Sequence, residues 1–518
     1  MQDPFLMSYL RGDLAPFFEL SAGSLDEALD LPRGGMPEGI RRALERSARR
    51  HAAPQAVFEN LNLLAQPSTR VVVTGQQPGL LLGPSYALSK AMTAIRLAES
   101  LASLGRPVIP VFWVASQDHD RAEVDHAYLL DFDERLHRIA VDLPSEVASG
   151  RMPLCASAVD ATLAALREVR APHPFVREVS NLLEASAAVS RTFADWFVGQ
   201  MYALVGRLGL IVLDPLDDEI APHFSEVLVS EIREPCASVA AIRRAAEELR
   251  ARGFAPQLGR GAQATNLFIE DRSDLPRRVL LRFDGSSFFH DNRAFTEEEL
   301  CALIRDRPGI ITPAAGLRPI TQDAVLPNIA TVVGPGELRY IAQLRGVYEH
   351  HGVAMPLVWP RASVTVLEAP VRRILSRHGL DYRSILSDSE EEFGRVALRL
   401  HGYRSAFDEV GAILEQGFRG LLDHVLGIDP TLVRSVRHAE RTHRRVLDHL
   451  RAKVIRAAVE RDEIMRRQFG RLKRHLLPLD YPQERVISPY SFMLKFGASS
   501  YLRALEAIDP SGEQVIEL

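Results

Sequence analysis

Up to about residue 360, short and almost continuous apolar runs alternate with stretches that have a helical pattern. These runs are VVVT (71–74), VIPVFWVA (108–115), LGLIVLDP (208–215), IATVVGPGE (329–337) and MPLVWPR (355–361). Strands that are apolar along their whole length and separated by helices are typical of a parallel sheet covered on both faces. The pattern therefore predicts an α/β fold with one doubly wound parallel-sheet core.

Other patterns interrupt and flank this core. Residues 24–66 have apolar positions at helical spacing and are predicted to form a helical lead-in. Residues from about 145 to 205 are predicted to form a helical insertion. At about 255–307, alternating apolar and polar residues between turn signals predict a small antiparallel β insertion. With these additions, the first domain is predicted to span residues 1–380.

The pattern changes from about Asp388 to His475, where no strand pattern remains and apolar residues recur three and four positions apart. A turn signal at 427–430 divides this stretch, which predicts an antiparallel coiled coil over residues 385–478. Its second half is basic, with fourteen Arg or Lys against five Asp or Glu in residues 431–475. Such a face can bind nucleic acid or pair with acidic residues of a partner helix, and we favour the second interpretation. Residues 479–518 are predicted to pack back on the core.

Composition limits the possible partners. A net charge of −5 over 518 residues makes nucleic acid an unlikely partner, because phosphate contacts require a basic surface. No apolar run approaches 20 residues, so we expect no membrane association and a cytoplasmic protein. Cys155, Cys236 and Cys301 are scattered, which indicates neither a disulfide framework nor a zinc site, and we expect small buried side chains there.

Three polar segments directly follow predicted strands: TGQQPG (74–79), SQDHD (116–120) and GPGE (334–337). The carboxyl ends of parallel strands meet at one edge of a sheet, so these segments are expected to line one crevice. The first offers glycines and the start of a helix to an anion, although it matches neither the dinucleotide fingerprint nor the P-loop. The alternative is a glycine turn that only joins strand to helix. Candidate binding residues are Thr74, Gly75, Gln76, Gln77, Gly79, Gly83, Pro84, Tyr86, Lys90, Gly334, Pro335, Gly336, Glu337, Tyr340 and Arg361.

The second segment, QDHDRAEVDH, concentrates imidazole and carboxylate groups. A carboxylate beside an imidazole can orient it and raise its basicity, which predicts catalytic roles for Asp118, His119 and Asp120. Two alternatives are a metal site through His119, Asp120 and His126, and a strand end that is only hydrogen-bonded. We favour acid–base chemistry and predict no metal.

Several of these motifs occur together in a known family. VTGQQPGLLLGPSYALSKA, PVFWVASQDHDRAEVDH, LRPITQDAVLPNIATVVGPGELRYIAQL, MPLVWPRASVTVLE and YSFMLKFG resemble the bacillithiol biosynthesis cysteine-adding enzymes, also called bacillithiol synthases. The resemblance implies a Rossmann-like core similar to class I nucleotidyltransferases, with inserted connecting segments. It also implies a C-terminal antiparallel coiled coil that makes a homodimer, and a ligase that joins the carboxyl group of cysteine to the amine of glucosaminyl-malate.

Amide formation in water requires an activated carboxyl group, and ATP is the expected source of an acyl-adenylate or acyl-phosphate. The loop of residues 74–84 would hold the phosphates or the developing oxyanion. His119, steered by Asp118 or Asp120, would take a proton from the attacking amine. Arg339, Arg345 or Arg361 would pair with the malyl carboxylates.

The sequence departs from the family pattern at two positions, since Gln117 stands where an acidic residue is common and Pro78 where alanine is frequent. Two other functions remain open at this stage. One is a nucleotide-binding scaffold whose coiled coil recruits partners. The other is a nucleotidyltransferase that acts on RNA, favoured by the basic residues at 431–475.

Overall fold

The computed structural model divides into two compact units. Residues 3–366, together with Glu484–Leu518, form the unit called here the Rossmann-like unit, and Leu367–Gln483 form the helical unit. The described residues are 3–131, 133–170, 173–259, 261, 263–271, 275–291, 293–400 and 403–518. Parts of the predicted insertions at 145–205 and 255–307, and of the predicted coiled coil, therefore lie outside the described residues.

A strand occurs in each of the five apolar runs, and helices separate these strands. The strands are β1 (Arg70–Gln76), β2 (Val108–Val114), β3 (His126–Leu130), β4 (Leu136–Ala140), β5 (Ile211–Leu213), β6 (Ala264–Glu270), β7 (Arg278–Phe283), β8 (Phe288–His290), β9 (Arg293–Phe295), β10 (Ile311–Pro313), β11 (Asn328–Val333), β12 (Leu357–Pro360), β13 (Ser363–Leu367) and β14 (Glu513–Glu517). The helices are α1 (Pro4–Leu10), α2 (Leu25–Leu29), α3 (Glu38–Arg50), α4 (Gln55–Leu63), α5 (Tyr86–Ala102), α6 (Arg121–Val124), α7 (Ala156–Arg170), α8 (Phe175–Val189), α9 (Phe193–Val205), α10 (Ser225–Arg233), α11 (Pro235–Ala251), α12 (Glu297–Asp306), α13 (Arg318–Val325), α14 (Pro335–Ile341), α15 (Arg345–His351), α16 (Ala369–His378), α17 (Tyr382–Ser387), α18 (Ser389–Leu400), α19 (Tyr403–Leu426), α20 (Val433–Arg461), α21 (Glu463–Leu476), α22 (Pro489–Phe496) and α23 (Ala498–Glu506).

The central sheet of the Rossmann-like unit has the strand order β12-β11-β1-β2-β5, and all its neighbouring strands are parallel. The chain moves from β1 outward through β2 to β5 and then returns to place β11 and β12 on the other side of β1. The predicted doubly wound core is therefore confirmed. Because the direction of winding reverses between β1 and β11, a crevice is expected at the carboxyl ends of these two strands.

A second sheet, β10-β6-β7-β8-β9, is antiparallel throughout. Strand β7 begins at Arg278, which pairs with Glu270 on β6, and Phe268 on β6 pairs with Leu280 on β7. This arrangement fixes Arg278 and Phe268 in the sheet that the sequence patterns place in an insertion.

The helical unit contains the coiled coil. Phe418 on α19 contacts His443 on α20, with ring centroids 5.4 Å apart, and Gly411 lies against Leu447. Because the position on α19 falls as the position on α20 rises, the two helices are antiparallel, as the sequence predicts. The second long helix is not continuous, however. It breaks at Asp462, whose carboxylate accepts a hydrogen bond from the backbone N–H of Met465 (2.9 Å) and so caps a separate helix, α21.

The expectation of three buried cysteines is wrong. Cys155 and Cys236 are exposed and Cys301 is half-buried, and all three are free thiols. Across the described ranges, none of the helices combines the length and the apolar character needed to span a membrane.

Candidate active site

A cavity of about 730 Å³ lies at the carboxyl ends of β1, β2 and β11. Each of the three polar segments that follow these strands contributes to its lining, as the sheet geometry predicts. The antiparallel sheet and the chain near residue 485 complete it. The lining residues that carry polar side-chain groups are Gln76, Gln77, Tyr86, Lys90, Trp113, Gln117, Asp118, His119, Glu123, Gln257, Thr265, Arg278, Arg318, Glu337, Tyr340, Arg361 and Arg485.

A chain of hydrogen bonds runs through the side chains of Gln76 and Gln77. The ammonium group of Lys90 donates to Oε1 of Gln76 (3.0 Å), and Nε2 of Gln76 donates to Oε1 of Gln77 (2.8 Å). Nε2 of Gln77 then donates to Oδ2 of Asp118 (3.1 Å) and to Oε2 of Glu123. Each amide thus has its oxygen toward the ammonium and its nitrogen toward the carboxylates. We call this chain, from Lys90 to Asp118 and Glu123, the amide relay.

The carboxylate end of the relay is adjacent to helix α6. Oδ1 of Asp118 accepts the backbone N–H groups of His119 (2.7 Å) and Asp120 (3.3 Å), which fixes its position. Burial raises the pKa of Glu123, and the neighbouring charges of Asp118 and Asp120 raise it further. A carboxylate of raised pKa is a stronger base, so Glu123 is suited to proton transfer.

His119 is paired with a cation, which differs from the prediction that a carboxylate orients it. Its Nδ1 lies 3.1 Å from Nη1 of Arg278 but 3.9 Å from Oδ1 of Asp118, which is beyond hydrogen-bond distance. Its ring also contacts Phe268 edge to face. Burial lowers the pKa of His119, and the charge of Arg278 lowers it further. The predicted role of Asp118 or Asp120 in steering His119 therefore has no support in this geometry.

The ammonium end of the relay is buried. Nζ of Lys90 donates to the carbonyl oxygen of Gly75 (2.9 Å) and forms an ion pair with Glu337. Glu337 also accepts the backbone N–H of Gly334 (2.8 Å), so it caps α14 and in addition neutralises a cation. Burial lowers the pKa of Lys90, while the carboxylate of Glu337 opposes this shift.

The expectation that Arg361 is free to pair with a substrate carboxylate is corrected by its partner. Nη1 and Nη2 of Arg361 each lie 2.7 Å from a carboxylate oxygen of Glu484, and both side chains are buried. Two other cations line the cavity. Arg318 donates to the hydroxyl of Tyr340 (3.1 Å), and no carboxylate in the described chain pairs with Arg485. Arg485 is therefore better placed than Arg361 to receive an anionic substrate group.

Five of the predicted site residues lie outside the cavity lining, namely Thr74, Gly79, Gly83, Pro84 and Asp120. The hydroxyl of Thr74 donates to the carbonyl oxygen of Val332, and Asp120 caps α6. A Cβ atom on Gly79 would lie 2.9 Å from Cα of Gly83, so these glycines serve close packing of the loop.

Three backbone amides of this loop are already in use. The N–H of Gly79 bonds to the carbonyl oxygen of Gln77, that of Gly83 to Leu80, and that of Ser85 to Ile487. These three amides therefore offer no free N–H to the anion cradle expected from the sequence. The remaining predicted binding residues, Gly75, Gln76, Gln77, Tyr86, Lys90, Gly334, Pro335, Gly336, Glu337, Tyr340 and Arg361, all line the cavity.

The positions of the side chains favour neither the alternative metal site nor the binding of malyl carboxylates by Arg339 or Arg345. His119, Asp120 and His126 do not form a group within metal-ligand distance of one another among the described residues. Arg339 lies 2.5 Å from Asp3, and Arg345 binds the carbonyl oxygens of Pro16 and Phe18, away from the cavity lining.

Sequence reasoning missed four charged residues of the site: Arg278, Arg318, Glu484 and Arg485. They come from the antiparallel sheet, from the start of α13 and from the segment before α22. Glu123 was visible in the QDHDRAEVDH motif but was not singled out. Arg318 lies in the LRPITQDAV motif, where a charged residue at a helix start could have been a signal. The other three have no local signal.

The comparisons with known proteins agree with this architecture. The protein-family model for the bacillithiol biosynthesis BshC N-terminal Rossmann-like domain matches residues 5–362. The family model for the BshC C-terminal coiled-coil domain matches residues 364–516. Relatives from two strains of Thermus thermophilus are 39% identical over 490 residues and 40% identical over 491 residues. Each of these matches covers 92% of this chain and 96% of the relative.

A more distant relative, from Geobacillus thermodenitrificans, is 31% identical over 487 residues, covering 92% of this chain and 88% of the relative. All three relatives carry the name "Putative cysteine ligase BshC". Two family models that together span nearly the whole chain, and these identities, lead to one conclusion: the chain belongs to the BshC family of bacillithiol biosynthesis proteins.

Proposed function

We propose that this protein is a ligase that joins the carboxyl group of cysteine to the amine of glucosaminyl-malate. The observation that carries this proposal is one cavity in which a carboxylate of raised pKa, Glu123, lies together with cations, among them Arg485. The carboxylate suits deprotonation of an amine, and the cations suit the carboxylates of the malyl group. The names of the relatives support cysteine as the acyl donor.

In the proposed reaction, the cysteine carboxylate would first be activated by a nucleoside triphosphate, as an acyl-adenylate with release of pyrophosphate or as an acyl-phosphate with release of the nucleoside diphosphate. The amine nitrogen then attacks the acyl carbon, and the π electrons of the carbonyl group move onto its oxygen. The amine proton passes to the carboxylate of Glu123. Collapse of the intermediate restores the carbonyl group and expels AMP or phosphate, which leaves the amide.

The residues fit a nucleotide only in part. Three amides of the loop, those of Gly79, Gly83 and Ser85, are occupied, so phosphate groups would be held in part by a cationic side chain such as Arg318. We propose ATP as the activating co-substrate on the grounds of the chemistry alone.

The direct test is to incubate the pure protein with cysteine and glucosaminyl-malate, with and without ATP, and to detect thiol and nucleotide products by mass spectrometry. We expect the amide-linked thiol together with AMP or ADP. Product without nucleotide consumption would contradict activation by ATP while keeping the ligase. No product under either condition would contradict the ligase.

Replacing Arg485 with glutamine should raise KM for glucosaminyl-malate by about 10- to 100-fold, the effect of losing a charge-assisted hydrogen bond worth about 1.5–3 kcal/mol. Steady-state kinetics with the malyl substrate varied would measure this. Arg503→Gln, the same change at an exposed position on α23, is the matched control. An unchanged KM for Arg485→Gln would show that Arg485 does not bind the malyl group.

We also propose that the coiled coil forms a homodimer. Both of its helices expose apolar side chains, including Ile413 on α19 (68% exposed) and Val446 on α20 (64% exposed). A helical face of this kind is stabilised when a second copy covers it.

Replacing Val446 with aspartate should therefore convert the dimer to a monomer without loss of helix content. Light scattering coupled to gel filtration would give the mass, and circular dichroism the helix content. Arg444→Asp, an exposed position on the opposite side of α20, should leave the dimer intact. A Val446→Asp protein that still elutes as a dimer would place the interface elsewhere.

A further inference from the structure

The guanidinium group of Arg278 is fixed on every side. Nε lies 3.0 Å from the hydroxyl of Thr312 and Nη2 lies 2.8 Å from the carbonyl oxygen of Pro313, both on β10. The group also lies over the ring of Phe268, 3.8 Å from its centroid. Burial lowers the pKa of Arg278 to about 10, so it remains a cation at neutral pH. The remaining nitrogen, Nη1, is held against Nδ1 of His119 at 3.1 Å.

This contact determines where the proton of His119 lies. A guanidinium group has only N–H donors, so Nδ1 of His119 must offer its lone pair. A neutral imidazole carries one N–H, which is then on Nε2. A doubly protonated ring would set an N–H of His119 against an N–H of Arg278, which the cation disfavours.

Nε2 is the ring nitrogen that Arg278 leaves free for a substrate. His119 is one of the lining residues, and within the part of the chain that the structure describes Nε2 has no hydrogen-bond partner. A neutral ring with a protonated Nε2 cannot accept a proton there, but it can donate a hydrogen bond to a substrate oxygen.

We propose that His119 acts as a neutral N–H donor to the acyl oxygen that becomes negatively charged when the amine attacks, and that Arg278 is the positioning residue that holds it in this tautomer. The proposal rests on the proposed ligase reaction and assigns the stabilisation of its oxyanion. It also reverses the expectation that His119 takes the proton of the amine. In this scheme the proton goes to Glu123, and the two steps use separate groups.

The charged groups that face His119 are Arg278, which disfavours a second proton on the ring, and Asp118, Asp120 and Glu146, which favour it. Burial and Arg278 outweigh the three carboxylates, so the pKa of His119 lies below its ordinary value of 6.5. The ring should therefore stay neutral throughout the neutral pH range.

The first test reads the tautomer directly and requires no activity. The wild-type protein, labelled with ¹⁵N in its histidine rings, is measured by long-range ¹H–¹⁵N correlation NMR, and His119→Gln identifies the signals of His119. We expect a pyridine-type signal for Nδ1 and a pyrrole-type signal for Nε2 at neutral pH. The reverse assignment, or an imidazolium pattern, would overturn the proposal. Arg278→Met should mix the two tautomers, whereas Arg503→Gln should not.

The second test separates a donor from a base. The amide of His119→Gln can place an N–H near the position of Nε2 but cannot take up a proton, whereas His119→Ala can do neither. Loss of one oxyanion donor costs about 10²- to 10³-fold in kcat. The kcat of His119→Ala should therefore fall by this factor, whereas His119→Gln should retain most of the wild-type kcat. Equal losses in the two variants would overturn the donor role. If wild type makes no thiol at all, the ligase proposal fails, while the NMR result still decides the tautomer.

Discussion

Replacing Glu484 with glutamine should lower the free energy of unfolding of the Rossmann-like unit by about 3–5 kcal/mol, the cost of removing one partner of a buried ion pair. Oε1 of Glu484 accepts from Nη2 of Arg361 and from the hydroxyl of Ser363, and Oε2 accepts from Nη1 of Arg361 and from the backbone N–H of Val364. Whichever oxygen is replaced by an NH₂ group, that group faces two hydrogen-bond donors. The substitution also leaves the buried cation of Arg361 without a counter-charge.

Urea unfolding followed by tryptophan fluorescence would measure this loss. Glu506→Gln removes the carboxylate from a partly exposed pair with Arg207 and should cost no more than about 1 kcal/mol. Replacing Arg361 and Glu484 together by methionine should recover much of the stability, because both charges of the buried pair are then removed. A Glu484→Gln protein whose free energy of unfolding lies within about 1 kcal/mol of the wild-type value would contradict the assignment of Arg361 and Glu484 as a stabilising buried ion pair.

The same pair predicts how stability changes with pH. Burial alone would raise the pKa of Glu484, but Arg361 lowers it below the ordinary value of 4.5 overall. A carboxyl group that is more acidic in the folded state stabilises the fold above its unfolded pKa, and this stabilisation is lost as the pH falls through the folded pKa. Glu484→Gln should therefore lack the part of the acid-induced loss that occurs below about pH 4.5.

Replacing Glu123 with glutamine should lower kcat for thiol formation by about 10²- to 10⁴-fold, the range for loss of a general base. The physical reason is the raised pKa of this carboxyl group, caused by burial and by Asp118 and Asp120, which brings it closer to the pKa of an amine. Gln77 would still hold the amide of the variant, so the substitution removes the base with little change of shape.

The pH profile makes this prediction specific. A general base must be ionised, so the wild-type rate should rise with pH through the raised pKa of Glu123, and this rise should be absent from Glu123→Gln. Glu59→Gln, an exposed change on α4, should keep both rate and profile. If the rate of Glu123→Gln still rises with pH in the acid range and its kcat falls only a few-fold, the proton goes to another group. Asp118 is then the first candidate.

The sheet and its edge could be predicted because their signals are local. Runs such as VIPVFWVA identify buried parallel strands without any tertiary information, and the polar residues that follow them must meet at the carboxyl ends. Gln76, Gln77, Asp118 and His119 were found in this way. Their proximity follows from topology alone, which a single sequence can indicate.

The partners of these residues could not be predicted, because they depend on contacts between distant parts of the chain. Arg278 meets His119 only after the antiparallel sheet has placed β7 beside the cavity, and Glu484 meets Arg361 only after the chain returns from the helical unit. One arginine among 62 basic residues carries no signal of such a contact. The sequence therefore indicated which groups are present at the edge, but not which of them are already neutralised.

The amide relay gives the cavity wall an electrical direction. Its Asp118 and Glu123 end is negative, whereas the ammonium group at its Lys90 end is neutralised by Glu337. A free amino acid is a zwitterion, with an ammonium group two bonds from its carboxylate. Along this wall it has one favourable orientation, with the ammonium group toward Asp118 and Glu123 and the carboxylate away from them. A wall of this kind sorts the two ends of an amino acid before any bond is made.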